Sequence, residues 1–163
     1  MYYHSFQGRI DINCSRNLKM GADYLYAHYS DHNRFDQPGL DLVYFLSRDP
    51  KRLYLEGRYY LMNFKKQSQD YWTPKNYSAG SAAIGLRHYL NQGEVFYGMN
   101  ELYYDLKYEL TVDSTDVVEH RLRWGFNWDI SKQLNIHLGG NVLRSVSGIY
   151  KENEFIVGLK YYF

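Results

Sequence analysis

Six histidines are the side chains of this 163-residue sequence whose type best suits nucleophilic or metal chemistry. A Ser–His dyad needs its partners within hydrogen-bond reach, and no Gly-x-Ser-x-Gly motif is present to supply an activated serine. His4, His88 and His120 fall on apolar strand faces near strand ends, and His137 falls on a polar face. We interpret the histidines as interfacial or hydrogen-bonded groups, and the sequence predicts no enzyme, no cofactor and no metal site.

Three other features could bind a ligand but fit structural roles better. The segment 31–36 carries two aspartates that could hold calcium, yet it lacks the glycine and the glutamate of a calcium-binding loop. Cys14 is the only cysteine, so it cannot form an internal disulfide and reads as a turn residue. Gly139 and Gly140 more readily relieve crowding or bend a strand than cradle a phosphate.

The elements that position these side chains are predicted to be β-strands, because alternation with period 2 is long and helical spacing is weak. The clearest strand has apolar residues at the even positions from Val118 to Ile130 and polar residues at the odd positions from Glu119 to Asp129. Short hairpin-length connections favour antiparallel neighbours over parallel βαβ units. We predict nine strands, at 2–12, 20–29, 39–48, 53–64, 77–90, 95–110, 117–130, 134–146 and 154–163.

The polar faces of these strands carry the residues of the candidate functional surface. If about eight strands close into a barrel by themselves, side chains fill the interior and the charges form a paired plug. If the chain is part of a larger barrel, the same charges line a water-filled lumen. The charged members of this set are Glu56, Arg58, Arg87, Glu101, Asp105, Glu119, Arg121 and Arg123. Four tyrosines on the same faces could stack against sugar rings: Tyr54, Tyr60, Tyr97 and Tyr103.

Composition narrows the class of protein. Aromatic residues make up 18% of the chain, 19 of them tyrosine, yet the mean hydropathy is −0.58, which suits sheet surfaces better than an ordinary soluble core. The net charge of +1 predicts no nucleic-acid partner. The sequence contains no run of 18 apolar residues, so no transmembrane helix is predicted. No signal peptide is recognisable after Met1, so we expect a mature domain, an engineered form or a fragment.

Alternation alone does not say whether the apolar face meets lipid or a soluble core, as in a lipocalin. Arg48 and Arg144 are the charges on the predicted apolar faces, and both lie near strand ends, where a lipid-facing charge costs least. Aromatic residues are predicted to form two girdles, with Trp128, Tyr89, Tyr161 and Phe163 at one rim and Tyr26, Tyr104 and Tyr108 at the other. Connections are predicted to be mostly short at one rim (13–19, 48–52, 91–94, 131–133) and mostly longer at the other (30–38, 65–76, 111–116, 147–153), as in outer-membrane barrels.

The last predicted strand adds a family resemblance. An edge strand so apolar would promote aggregation in a soluble protein, and Phe155-Ile-Val-Gly-Leu-Lys-Tyr-Tyr-Phe163 resembles the C-terminal signal of bacterial outer-membrane barrels. The resemblance implies recognition by the barrel assembly machinery. The residues of this insertion signal are Phe155, Val157, Leu159, Tyr161 and Phe163.

A second resemblance concerns the kind of barrel. The segment Tyr71-Trp-Thr-Pro-Lys-Asn-Tyr77, followed by Ser78-Ala-Gly and Gly85-Leu-Arg-His-Tyr89, is similar to the barrels that follow tetratricopeptide repeats in exopolysaccharide secretion porins. These include exporters of cellulose and of poly-N-acetylglucosamine, and the likeness covers about residues 70–163. The chain departs from them by lacking helical repeats and by having too few strands, which would fit the C-terminal part of such a barrel.

Together these observations predict an all-β fold, an antiparallel up-and-down transmembrane β-barrel of about eight to ten strands that could be part of a larger barrel. Residues 1–163 are expected to form one barrel domain or a C-terminal fragment of one, in the bacterial cell outer membrane. The expected function is a porin-like channel for an exported polysaccharide or another solute, with outer-membrane lipid and the barrel assembly machinery as partners. The alternatives are a small structural or adhesive barrel, a lipid-modifying barrel enzyme and a soluble lipocalin-like binder.

Overall fold

Nine antiparallel strands form one sheet, in which the spatial order is the order in the chain. The computed structural model describes residues 3–68, 72–91, 101–131, 133–148 and 150–161. Within these residues no helix is long and apolar enough to cross a membrane. The strands are β1 (Tyr3–Asn13), β2 (Leu18–Tyr29), β3 (Arg34–Phe45), β4 (Lys51–Phe64), β5 (Tyr77–Tyr89), β6 (Leu102–Asp113), β7 (Val118–Asp129), β8 (Leu134–Ser145) and β9 (Lys151–Tyr161).

The prediction of an all-β, antiparallel, up-and-down order is confirmed, and each predicted strand overlaps one observed strand. The sheet is not closed among the described residues, where β1 and β9 stand at the two ends of the order. β3 begins at Arg34, earlier than the predicted start at 39, and continues through Pro38 and Gly39. The physical reason is Phe35, which is buried with its ring 4.8 Å from the ring of Phe64 and so holds the start of β3 in the sheet. The predicted start of the sixth strand, at 95, lies outside the described residues.

The predicted contrast between short and long connections is wrong. The connections 30–33, 114–117 and 146–150, predicted to be mostly longer, are as short as 14–17, 46–50 and 130–133. Local hydrogen bonds shorten the predicted loops, as where the Asp113 carboxylate accepts the N–H groups of Thr115 and Val117 at 2.8 and 3.0 Å. Most of the 90–101 connection, including Tyr97, lies outside the described residues.

The chain divides into two compact units. The first unit comprises 1–44, 56–82 and 111–117, and the second comprises 45–55, 83–110 and 118–163. In the first unit, the register aligns Arg9 with Asp23 and Asp23 with Gly39, so these residues share one face of β1–β3. In the second unit, Gly125 pairs with Gly139 and Gly139 with Ile156 on the corresponding face of β7–β9. We call the face that carries these residues the polar face of each unit, and the opposite face the apolar face.

The two faces of the sheet differ in burial in the opposite sense to a soluble protein. Large apolar-face side chains are exposed even on internal strands, including Leu40 at 61% in the first unit and Leu106 at 45% in the second. On the polar face, the side chain of Asp23 is only 6% exposed and that of Glu109 15%. Globular proteins normally bury their large apolar side chains and expose their charges.

One apolar cluster lies on the polar face of the first unit, near connections 30–33 and 65–76. Ala27, Phe35 and Phe64 are buried there, with Leu25, Tyr29 and Met62 packed against them. Beside this cluster Asn33 is 1% exposed, and it joins the two connections. Its Nδ2 donates to the Lys66 carbonyl at 2.9 Å and its Oδ1 accepts the Lys66 N–H at 2.9 Å. Both polar ends of this buried side chain are thereby satisfied.

Candidate functional site

The polar face of the first unit carries a network of arginines and aspartates. Arg9 Nη1 lies 2.8 Å from Asp41 Oδ1 and 3.6 Å from Asp23 Oδ1, and Arg58 Nη2 lies 3.2 Å from Asp23 Oδ1. The Arg9–Asp41 contact at Oδ1 is an ion pair without hydrogen-bond geometry, whereas Asp41 Oδ2 accepts from Arg9 Nη2 at 3.1 Å. Arg9 also donates to the exposed Asp11 at 2.7 Å. Two cations and three carboxylates therefore lie together on this face, and the cations offset most of the negative charge.

Two glycines make this network possible. Gly21 lies directly between Asp11 and Asp41 in the sheet, and a Cβ at Gly21 would stand 2.5 Å from Arg9 Nη2. A Cβ at Gly39 would likewise stand 2.8 Å from an oxygen of Asp23. The missing side chains leave space for Arg9 and Asp23 to lean across a neighbouring strand, so charges two strands apart can meet.

The polar face of the second unit also carries ion pairs, between residues of the same strand or of neighbouring strands. Arg87 Nη2 lies 3.8 Å from Asp105 Oδ1, and its guanidinium lies 4.4 Å from the centre of the Tyr103 ring. On β6 and β7, the Glu109 carboxylate lies 3.3 Å from Lys107 Nζ and 3.5 Å from Arg123 Nη2. Arg87, Asp105 and Arg123 are partly exposed, whereas the side chains of Lys107 and Glu109 are largely buried.

A cleft of about 520 Å³ opens on the polar face of the second unit. Its floor includes the directly paired Gly125 and Gly139. The Asp105 carboxylate and the His137 ring lie close beside this pair, 3.0 and 3.1 Å from where a Cβ would stand. The polar groups around the floor come from β6 to β9: Asp105, Arg121, Arg123, His137, Asn141, Glu152 and Glu154.

Several polar groups of this cleft are not saturated by the protein. Asn141 Nδ2 donates to Glu152 Oε1 at 2.8 Å, but Asn141 Oδ1 is buried and has no hydrogen-bond partner within the described residues. In the same part of the chain no ion pair or side-chain hydrogen bond is described for Arg121 or Glu154. The cleft thus offers a guanidinium donor and carboxylate and amide acceptors, a set suited to a hydroxyl-rich or charged solute.

The structure places the predicted polar-face residues as follows. Arg87, Asp105, Arg121 and Arg123 come together in the second unit, around the cleft or beside it. Arg58 instead joins the Asp23 network of the first unit. Glu56 and Glu119 are half-buried at polar-face positions, and Glu101 precedes β6, where its carbonyl oxygen accepts the Asp129 N–H at 2.9 Å.

The tyrosines proposed to stack on sugars already have protein neighbours. The Tyr54 ring occupies the space beside Gly85, where a Cβ would stand 2.2 Å from a ring atom. Tyr60 lies 6.2 Å from the Tyr77 ring, with the Arg58 guanidinium 5.9 Å from its centre. Tyr103 carries Arg87 over its ring, and Tyr97 lies outside the described residues. Sugar stacking by these rings stays a prediction.

The predicted insertion signal lies on the apolar face of β9. Phe155, Val157, Leu159 and Tyr161 are all at least half exposed, and Phe163 lies outside the described residues. Trp124 of β7 leans over Gly140 of β8 and brings its ring to 5.9 Å from the Phe155 ring. One edge of this apolar row is therefore packed within the sheet while its outer surface stays uncovered.

The predicted girdles need two corrections. Tyr89 is buried on the polar face, with Arg52 over its ring, because its odd position in β5 points it there. Tyr104 lies near the start of β6 and therefore belongs to the rim with connection 90–101, not to the opposite rim. The Tyr104 hydroxyl is hydrogen-bonded to His88, whose Nδ1 lies 3.1 Å away.

The histidines form no metal site within the described residues, where no group of three or more potential ligands is placed to hold an ion. His28 and His32 are four residues apart and meet edge to face at 6.4 Å. His120 Nδ1 lies 2.5 Å from the Tyr108 hydroxyl on the apolar face. The contacts of His88 and His120 match the predicted hydrogen-bonded role, and an interfacial role stays a prediction.

Sequence reasoning missed the Arg9, Asp23 and Asp41 network. The alternation in β1 to β3 is weak, because Leu25, Phe35 and Val43 share the polar face with the charges. The signal that could have found the network is the spacing Gly21-x-Asp23 on one strand and Gly39-x-Asp41 on the next. In antiparallel register, that spacing sets each aspartate beside the other strand's glycine.

The sequence matches no protein-family model, and comparisons with curated proteins and with solved structures found no match either.

Proposed function

We propose that this chain contributes the strands of a bacterial outer-membrane β-barrel. Its apolar face contacts membrane lipid, and its polar face lines a path for an exported polysaccharide or another solute. Membrane-spanning backbone must satisfy its hydrogen bonds internally, which closed barrels do. The proposal therefore includes closure of the sheet.

The single observation that carries this proposal is the reversed burial of the two faces. Leu40 is 61% exposed on the apolar face of the internal strand β3, while Asp23 on the polar face of β2 is 9% exposed. In water such a surface would be an association hazard, because soluble monomers rarely expose large contiguous apolar patches. In a bilayer the same surface is satisfied by lipid, and the charges are kept away from the hydrocarbon.

The height of the apolar surface fits a membrane. On β8 the apolar face runs from Leu134 to Val142, which is roughly 27 Å at the usual rise per residue in a strand. Because barrel strands are tilted, this length supports an apolar band close to the ~25 Å seen in outer-membrane barrels. Charged residues of the apolar face lie near strand ends, as Arg34, Lys51 and Arg144 do.

The number of strands favours a larger barrel. Nine consecutive antiparallel strands leave β1 and β9 running in the same direction. Bacterial single-chain barrels are built of antiparallel neighbours in even number. We therefore propose that further strands complete the barrel beside β1 and β9, as the resemblance to exopolysaccharide secretion porins also implies.

A solute path is favoured over a filled plug by the second unit. Its ion pairs join residues on the same or the next strand, and the cleft above Gly125 and Gly139 keeps Arg121 and Asn141 Oδ1 available. The second candidate, a small structural or adhesive barrel, is favoured by the ion-paired Arg9 and Asp23 network of the first unit. A polysaccharide as the solute rests on the resemblance alone.

Refolding into detergent tests membrane insertion. The full-length protein, with the strands proposed to complete the barrel, is refolded in detergent micelles, and its migration on SDS gels is compared with and without boiling. We expect heat-modifiable migration, because a closed barrel resists SDS until it is heated. A chain that stays soluble and folded in buffer, and shows no such shift, would rule out the membrane barrel and revive the lipocalin-like alternative.

A pair of arginine substitutions tests which face meets lipid. Val157 and Ile156 are neighbours on β9, 65% and 42% exposed, on the apolar and the polar face respectively. In phospholipid vesicles we expect Val157→Arg to lower the free energy of unfolding by about 2–4 kcal/mol and Ile156→Arg to change it far less. If water covers the apolar face, Val157→Arg will be neutral, since exposed substitutions rarely exceed ~0.5 kcal/mol.

Single-channel recording separates the solute path from the plug. Full-length protein in a planar bilayer is expected to conduct, because a lumen lined by Arg121 and Glu154 holds water. A heat-modifiable protein without conductance would favour the structural barrel. Lipid hydrolysis by the same preparation, lost in His137→Ala, would instead revive the barrel enzyme.

A further inference from the structure

The apolar face of the second unit ends in a row of basic side chains. The register pairs His120 of β7 with Arg144 of β8, and Arg144 with Lys151 of β9. The next two rows on this face are Leu122, Val142 and Asn153, and then Trp124, Gly140 and Phe155. We call His120, Arg144 and Lys151 the basic row; it lies at the strand ends next to connections 114–117 and 146–150.

The basic row brings like charges together without an acid of its own. Residues directly opposite on antiparallel strands have neighbouring side chains, and like charges in such pairs are destabilising. The Arg144 guanidinium donates to the Leu143 carbonyl at 2.7 Å, the Glu152 carbonyl at 3.0 Å and Asn153 Oδ1 at 2.7 Å. All three acceptors are neutral, and within the described residues neither Arg144 nor Lys151 has an ion pair.

The guanidinium of Arg144 is held in place by these acceptors, while Lys151 is exposed at the edge of the row. His120 is bonded through Nδ1 to the Tyr108 hydroxyl, which fixes its ring on the same face. A fixed guanidinium beside an ammonium suits the oxygens of a phosphate group, which accept bidentate and charge-assisted hydrogen bonds.

The same arrangement recurs in the first unit. There His4 of β1 pairs with His28 of β2, and His28 pairs with Arg34 of β3. This row follows Phe6 and Tyr26 on the apolar face and lies next to connection 30–33. Asp36 lies one row further on, where its carboxylate accepts the Tyr24 hydroxyl at 2.5 Å rather than pairing with Arg34. The row of the second unit is therefore the stronger candidate, because its neighbouring row carries no acid.

We propose that the basic row binds the phosphate group of a membrane lipid headgroup. The inference rests on the proposed function, because it requires the apolar rows below Arg144 to face hydrocarbon. A phosphate at the surface of the bilayer would then lie level with Arg144 and Lys151, about two rows above Trp124 and Phe155. The lipid phosphate would then be the anion that pairs with Arg144 and Lys151.

The test uses refolded full-length chain in phosphatidylcholine vesicles, with and without phosphatidic acid. We expect phosphatidic acid to stabilise the inserted state of the unsubstituted protein in urea titrations. Lys151→Gln and Arg144→Gln are each expected to reduce that gain in the folding equilibrium constant about fivefold, the typical effect of one basic residue at an anionic membrane surface. Arg34→Gln reports on the row of the first unit and is expected to have a smaller effect.

Lys160→Gln is the matched control, because it removes the same charge from the polar face at the other end of β9. An equal loss in Lys160→Gln and Lys151→Gln would overturn the inference, since net charge would then explain the effect. Equal stabilisation by inorganic phosphate, without phosphatidic acid, would also overturn it by indicating a site for a free anion. If all variants insert but none responds to phosphatidic acid, the lipid site is ruled out and the proposed function is unaffected. If the unsubstituted protein fails to insert, the proposed function itself is contradicted.

Discussion

The polar faces of the two units use the same residue types and reach different outcomes. In the first unit, Arg9 and Asp23 lean across Gly21 and Gly39, and their charges are compensated within the network. In the second unit, Gly125 and Gly139 pair directly with each other, with the Asp105 carboxylate and the His137 ring beside them, and a cleft opens next to them. In both units neighbouring side chains use the space beside the glycines, and in the first unit this lets charges two strands apart meet.

The difference separates a structural region from a candidate binding region. Each carboxylate of the network has a cation beside it, although Asp41 Oδ1 is buried without a hydrogen-bond partner among the described residues. The cleft keeps Arg121, Glu154 and Asn141 Oδ1 without partners among the described residues, and unsatisfied polar groups around open space are typical of binding sites. Substitutions should consequently affect stability in the first unit and solute-dependent properties in the second.

The largest effect on stability is expected from removing Arg9. Arg9→Met leaves Asp41, whose side chain is 12% exposed, without a described cation, so we expect the free energy of unfolding in detergent to fall by about 2 kcal/mol. Arg123→Met is the matched control, because the side chains of Arg9 and Arg123 are both 42% exposed. After this substitution the Glu109 carboxylate still has a cation, since Lys107 Nζ lies 3.3 Å away. We expect the control to cost less than about 1 kcal/mol. Equal costs would show that the two units do not differ in this way.

A smaller effect is expected from filling the space at Gly21. Gly21→Ala places a methyl group 2.5 Å from Arg9 Nη2, which must shift away from Asp41, and we expect a loss of about 1 kcal/mol in urea unfolding. Gly8→Ala serves as control, because its Cβ would make only ordinary contacts at 3.7 Å with the Phe6 ring. The control should be neutral or slightly stabilising, since glycine weakens strands. A neutral Gly21→Ala would mean that the network tolerates displacement.

The smallest effect on stability is expected from Arg121, together with a clear effect on conduction. Arg121→Gln removes a cation that has no described partner, so the free energy of unfolding should change by less than about 0.5 kcal/mol. In planar bilayers the same variant should become more cation-selective, and Arg121→Lys should retain the original selectivity. A loss of more than 1 kcal/mol would show that Arg121 has a structural partner after all.

Strand count and strand faces could be predicted from the sequence, because side chains alternate strictly across a pleated sheet. That rule correctly placed Trp124 and Phe126 on one face of β7 and Arg123 and Gly125 on the other. It failed at the start of β3, where Pro38 and Gly39 break the pattern but contact between Phe35 and Phe64 holds the strand. It also failed for the connections, because turn lengths depend on local bonds such as those to Asp113.

The sequence by itself determined that apolar and charged side chains occupy opposite faces, since period-2 alternation needs no partner strand. Only the tertiary structure decided which face is covered, because burial depends on what the neighbouring strands pack against. It also decided which charges meet, since Asp41 reaches Arg9 across Gly21 only in this register. The same register assembled His120, Arg144 and Lys151 from three strands into one row, which no single strand's pattern could reveal.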